Sequence, residues 1–151
     1  FIFLPLHPNT LNVLAIIEMP KIEVKSLENL KAAQKLIDCG MYTTSVHCSY
    51  YSSFFSMKHF LNKHPHNSIN YIDQDKYNNA GSHIFIYEEV YNRVLHNSTH
   101  ARKFRTEYKI LKEERKRADY TDEQFTAEES LDSIQRSKNI QYTLNEIFKK
   151  L

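Results

Sequence analysis

Glycine is nearly absent from this chain: Gly40 and Gly81 are the only two in 151 residues. A Walker-type phosphate loop and the first turn of a dinucleotide-binding Rossmann unit each need several clustered glycines, so both are excluded. Proline is scarce as well, with four residues, and no run of alternating β-branched residues is sustained. With few breakers and no period of two, the chain reads as all-α. Cys39 and Cys48 fit no zinc-ligand spacing, and no secretion signal accompanies them. They read as reduced thiols of a cytoplasmic protein. The eight histidines lack the helical His-Glu spacing of a metalloprotease, so no metal and no cofactor is expected. A net charge of +2 is too small to identify a nucleic-acid partner, and no apolar run is long enough to span a membrane.

What is present is ordinary for a globular protein: 41% apolar and 25% charged residues, in a length that supports one core. Ten Tyr and nine Phe predict a core rich in aromatic rings. Residues 1–18 stand apart. Phe1 to Leu6 and Val13 to Ile17 are apolar, broken by Pro5 and Pro8, and no basic region precedes them. Met19 followed by Pro20-Lys21-Ile22-Glu23 reads as an ordinary protein start. The division expected is therefore an extension over 1–18 and a single helical domain over 19–151.

The spacing predicts an up-and-down bundle of four or five antiparallel helices. The first opens at Ser26 as N-cap, carries Leu27, Leu30, Ala33 and Ile37 inward, and ends at Gly40, suited to a left-handed cap. The second covers about 42–62, with Val46, Tyr50, Phe54 or Ser53, Met57 and Leu61 as one stripe and His47, Tyr51, Phe55 and Lys58 as its neighbour. Its serines, Ser45, Ser49, Ser52, Ser53 and Ser56, allow close approach. A polar loop over 64–82 contains one helical turn near 73–77. The third helix, 82–95, turns Ile84, Tyr87, Tyr91 and Val94 to one side. The fourth carries Phe104, Tyr108 and Leu111 inward and ends near Ala118. Thr126-Ala127-Glu128-Glu129 is a capping box that opens a fifth, with Leu131, Ile134, Gln141 or Ile140, Leu144, Phe148 and Leu151 as its apolar line. Apolar groups cover more than half of the second helix, and residues 1–18 add further apolar surface, so a two-fold homodimer is expected.

Chemistry concentrates at Arg115-Lys116-Arg117-Ala118-Asp119-Tyr120, which closes the charged fourth helix. Arg115, Arg117, Asp119 and Tyr120 allow two readings. One is a phosphate site, because arginine holds phosphate bidentately and a phenol can donate to it. The other is an Arg–Asp pair with the Tyr packed over it, tying the fourth helix to the second. His47 sits one turn before Tyr51, so the two rings are expected to stack or share a hydrogen bond. From Arg102 to Arg117 eight Lys or Arg face Glu107, Glu113 and Glu114, while 122–132 is acidic. A solvated face opposite an acidic neighbour is the reading preferred over an RNA-binding stripe.

Taken in order, these pieces resemble the HEPN superfamily, named for higher eukaryotes and prokaryotes nucleotide-binding, in its small stand-alone prokaryotic branch. The residues that carry the resemblance are Gly40-Met41-Tyr42, Ser49-Tyr50-Tyr51-Ser52 with Phe54, Ser82-His83, and Arg115 to Tyr120 followed by Phe125 to Glu129. The likeness covers roughly 26–150. It implies a helical bundle, often dimeric, that binds nucleotide or RNA at Arg115, Arg117, Asp119, Tyr120 and Tyr51. It also implies a minimal nucleotidyltransferase as partner in a toxin–antitoxin-like pair. Some members of the superfamily are metal-independent ribonuclease toxins that use an Arg and a His four to six residues apart. Here no His follows Arg115 at that distance, and Arg93 with His100 is the other pair near that spacing. A binding module is thus expected, with a ribonuclease toxin or a purely structural bundle as the rivals.

Overall fold

The computed structural model describes residues 21–76 and 81–151. The 1–18 extension and the end of the expected turn at Tyr77 lie outside the described residues. Six helices are found there: α1 (Lys21–Asp38), α2 (Tyr42–Lys63), α3 (Tyr71–Asp75), α4 (Ser82–Val94), α5 (Ser98–Tyr120) and α6 (Ala127–Phe148). The expected four or five becomes six because the polar loop holds a five-residue helix, N-capped by Asn70, whose side chain accepts from the Asp73 amide at 2.9 Å.

Two ends match the local chemistry closely. Gly40, at φ +75°, closes α1 in a Schellman motif: Met41 N–H donates to the Leu36 carbonyl at 2.7 Å and Gly40 N–H to the Ile37 carbonyl at 2.9 Å. Thr126 and Glu129 complete the capping box of α6, with Thr126 N–H donating to the Glu129 carboxylate at 2.8 Å and Glu129 N–H to the Thr126 hydroxyl at 3.2 Å.

Side-chain pairs set the helix directions. Ser26 meets Ser52 and Ser45 meets Ala33, so α1 and α2 are antiparallel. Tyr50 meets Tyr108 and His47 meets Asp119, so α5 also runs against α2. Ser133 and Arg136 meet Glu114, while Asn139 meets Glu107, so α6 runs against α5 and hence along α2. His83 lies on Tyr50 and Phe54, and His64 at the far end of α2 shares a cleft with Arg93 and His96. Thus α4 also runs along α2. Two successive long helices pointing the same way break the expected up-and-down order. The chain from His64 onward turns back along α2: Ile69 N–H donates to the Leu61 carbonyl, Gln74 to the Lys58 carbonyl, and Asp75 pairs with Lys58. A parallel neighbour requires such a return, which explains the length of this connection.

Helix α2 is the axis, contacting α1, α4, α5 and α6. Its stripe of Val46, Tyr50, Phe54, Met57 and Leu61 is buried, joined by Ile86, Val90, Val94, Phe104, Tyr108 and Leu111. The broad apolar face expected to demand a second copy is covered within one chain, and the case for a homodimer then rests on residues 1–18, outside the described residues, and on the resemblance. Among the described residues no helix is long and apolar enough to cross a membrane.

Three inward faces differ from expectation. Helix α1 is already formed at Lys21, so Ser26 is no N-cap; it is buried and donates to the Ser52 carbonyl at 2.8 Å, while Leu27 is exposed. In α4 the buried line is Ile86, Val90 and Val94; Tyr87 and Tyr91 flank the core, and Ile84 is exposed. In α6 the buried line is Ser130, Ser133, Ile134, Ser137, Ile140, Thr143, Leu144 and Ile147, with Leu131 and Phe148 outside. In α1 and α6 small residues have taken the place of large ones because they pack on the serine ridge of α2. There Ser52 returns the bond of Ser26, Ser53 donates to Ser137 at 2.8 Å, and Gln141 donates to Ser52 at 2.8 Å.

Candidate functional site

Because α5 runs against α2, its last turns lie beside the first half of α2. Successive residues of a helix point about 100° apart, so Tyr50 and Tyr51 divide between two environments. Tyr50 enters the core at 1% exposure, and Tyr51 is half-buried facing Arg115. The Arg115 guanidinium donates to the Tyr51 hydroxyl at 3.1 Å. Its central carbon lies 5.0 Å from the Tyr50 ring centre, 5.6 Å from Tyr51 and 5.5 Å from Tyr120. Three rings therefore present their π systems to one cation. The Arg115 side chain is only 14% exposed. Burial works against its charge, but the Tyr51 hydroxyl, Asp119 and Tyr120 outweigh that and leave the guanidinium more firmly protonated than usual.

Asp119 completes the arrangement. Its Oδ2 is 2.9 Å from Arg115 Nε, one turn away on α5, and its Oδ1 is 2.9 Å from His47 Nδ1 on α2. A carboxylate in the last turn of a helix sits against the negative end of the macrodipole, so it needs such partners. The Arg115 Nε–H is close to Asp119 yet forms no hydrogen bond, because the N–H is not aimed at the oxygen; the contact is an ion pair without a hydrogen bond. The His47 ring lies against Tyr51 in a tilted contact with ring centres 4.6 Å apart, and its side chain is 44% exposed.

Beneath the arginine lies a neutral hydrogen-bonded layer. The Tyr50 hydroxyl is bonded to His83 Nδ1 at 2.9 Å and to the Tyr108 hydroxyl at 3.2 Å, and His83 stacks on Phe54 at 4.1 Å. Burial raises the Tyr50 phenol, and the Tyr108 phenol more strongly. Burial lowers His83, helped by the positive charges of Arg115, Lys112 and Lys58. All three are uncharged near neutral pH, so Arg115 is the fixed charge above them.

Of the residues singled out from sequence, Arg115, Asp119, Tyr120 and Tyr51 converge. Tyr120 is the outermost at 74% exposure. Arg117 faces elsewhere: its Nε donates to Glu123 at 2.6 Å and its guanidinium covers the Phe125 ring at 4.9 Å, latching α5 to the turn before α6. Arg93 and His100 are engaged separately. Arg93 donates to the Glu89 carboxylate and carbonyl, both at 2.7 Å, and to the Asn67 carbonyl at 2.7 Å. The His100 amide is capped by Asn97, and its buried Nδ1 has no partner. Sequence reading left His83 and Tyr108 out of the site and stopped at Tyr51 for His47. No local spacing marks a contact between residues 33 or 72 positions apart, such as Tyr50–His83 or His47–Asp119.

Burial raises the Cys48 thiol, which disfavours the thiolate that a nucleophile needs, and both cysteines are free. Among the described residues no group of three or more His, Cys, Asp or Glu is arranged to hold a metal ion. The chemistry on offer is a caged arginine with a phenol, an exposed aromatic ring and a carboxylate-held histidine at its edge, a set suited to an anion carrying an aromatic group. No family model matches this chain, and no curated protein or solved structure is significantly similar to it.

Proposed function

We propose that this protein is a HEPN-like module that binds a nucleotide or RNA through phosphate at Arg115, as the partner of a minimal nucleotidyltransferase. The observation that carries this reading is convergence. Tyr50-Tyr51, Ser82-His83 and Arg115-to-Tyr120 lie far apart in the chain, yet their side chains meet in one cluster. An incoming phosphate would take the guanidinium donors that Tyr51 leaves free, and a base would stack on the exposed Tyr120 ring. Asp119 is compatible with an anion because Arg115 and His47 hold it. Binding rather than cleavage is favoured because Arg93 is committed to Glu89 and Asn67, which leaves the Arg93–His100 pair without a shared site.

Titration of a labelled nucleotide or short RNA tests the reading. Arg115→Ala should lose about tenfold or more in affinity, the scale of a hydrogen bond to a charged group. Arg115→Lys should recover only part of it, because the planar fork is lost. A variant that loses stability with unchanged ligand binding would make Arg115 a structural tie between α2 and α5. Robust metal-free RNA cleavage by the wild type, abolished in His100→Ala, would replace the binding role with a catalytic one.

A further inference from the structure

The charges of α5 sort by face. Glu107 and Glu114, seven residues apart, turn to α6, where Arg136 reaches both at 3.2 and 3.3 Å, Asn139 donates to Glu107 at 3.0 Å and Ser133 to Glu114 at 2.9 Å. Ala101, Phe104, Tyr108 and Leu111 face the core. On the remaining face Arg102, Arg105, Lys109 and Lys112 follow one another at steps of three and four residues, which places them in a single line. Among the described residues none of these four has a carboxylate within ion-pair distance. Glu113, beside the end of the line, is taken by Lys116 at 2.9 Å.

The row is about 15 Å long at 1.5 Å per residue, and its cations recur about every 5 Å along the axis. It ends one turn before Arg115. It borders α4, where Arg105 is close enough to Tyr87, and Lys112 to His83, to act on the ionisation of each ring. Tyr87 and Tyr91 stack there at 5.8 Å, both partly buried against the core. A bland solvated face would mix its signs. Here Glu107 and Glu114 have been drawn to the opposite side, Glu113 is the carboxylate left beside the row and pairs with Lys116, and cations without an ion-pair partner lead into the caged arginine.

We propose that Arg102, Arg105, Lys109 and Lys112 form a track for the backbone of a single-stranded nucleic acid whose end is held at Arg115. The proposal rests on the reading of Arg115 as a phosphate site. A line of evenly spaced, unpaired cations matches a regular polyanion. An unpaired strand is selected because the track ends at Tyr120, whose exposed ring offers a stacking face that only unstacked bases can use.

The test compares a labelled oligouridylate with AMP on the full chain. The variant replaces Arg102→Gln, Arg105→Gln and Lys109→Gln together; all three are exposed, and none touches the Arg115 cluster. Wild type should bind the oligonucleotide more tightly than AMP, with an affinity that falls steeply with salt. In the triple variant the log–log salt slope should shrink by about 2, at roughly 0.7 per lost contact to a single strand. AMP binding should be unchanged, and circular dichroism should show the helices intact. An oligonucleotide affinity and slope equal to wild type would overturn the track alone, with the Arg115 site still standing on its AMP binding. A duplex of equal length bound as tightly as the single strand would overturn it too. No binding of either ligand by wild type would overturn the Arg115 reading and the track with it.

Discussion

Helix α2 has two sides built on opposite rules. Toward α1 and α6 it presents serines: Ser45, Ser49, Ser52 and Ser53 are fully buried; the hydroxyls of Ser45, Ser52 and Ser53 bond to facing groups, and that of Ser49 donates to the Ser45 carbonyl of its own helix. Toward α4 and α5 it presents rings: Tyr50, Tyr51 and Phe54 meet His83, and Tyr50 meets Tyr108, in stacked, tilted and edge-on pairs. The serine side brings backbones close and satisfies its buried hydroxyls within the bundle. The aromatic side keeps helices further apart, holds an arginine whose Nε–H is unbonded, and opens to solvent at Tyr120 and His47.

The two sides should fail in opposite ways, and the largest effect belongs to the rings. Phe104→Ala, at a fully buried position stacked on Tyr87 and Tyr108, should cost about 3–5 kcal/mol in urea unfolding. A cost below about 1 kcal/mol would mean that the aromatic side is not tightly packed. Next comes growth on the serine side. Ser52→Leu should cost about 1–3 kcal/mol through overpacking, beyond the loss of its bonds to Ser26 and Gln141. An unchanged unfolding midpoint would show that α1 and α2 are not in close contact.

The smallest effect is a matter of pH. Burial depresses the folded-state pKa of His83, and of His59 and His64, below the ordinary value of about 6.5. Below that value the unfolded chain binds more protons than the folded one, so stability rises with pH. The contribution of His83 should be complete above about pH 6.5 and fade as pH falls toward its folded pKa. Stability measured across pH 5 to 8 should show a shallower acid slope in His83→Gln. A wild-type slope in that variant would place the effect on the other two histidines.

Much of the fold was legible because it is written locally. The α2 stripe, the Gly40 cap and the Thr126–Glu129 box depend on residues within a turn or two of one another. The inward faces of α1 and α6 were misread toward Leu27, Leu131 and Phe148, since hydrophobicity alone favours large residues. Beside the expected Ala33, helix α2 instead selects Ser26, Ser130 and Ser137, a choice made by the partner helix. The same division runs through the site. Arg115 with Asp119, and His47 with Tyr51, are one-turn neighbours and visible in the sequence. The closure of His47 on Asp119 and of Tyr50 on His83 exists only once the helices are docked.

The parallel course of α2 and α6 bears on the order of assembly. Bonds between α1 and α2 join residues 12 to 30 apart, whereas those between α2 and α6 join residues 84 to 89 apart. At about 0.6 kcal/mol for each doubling of loop length, closing α6 onto α2 costs roughly 1–2 kcal/mol more chain entropy than closing the α1–α2 hairpin. The hairpin is therefore the natural early unit of folding. The serine seam it presents stays half-occupied until the last helix of the chain arrives to fill it.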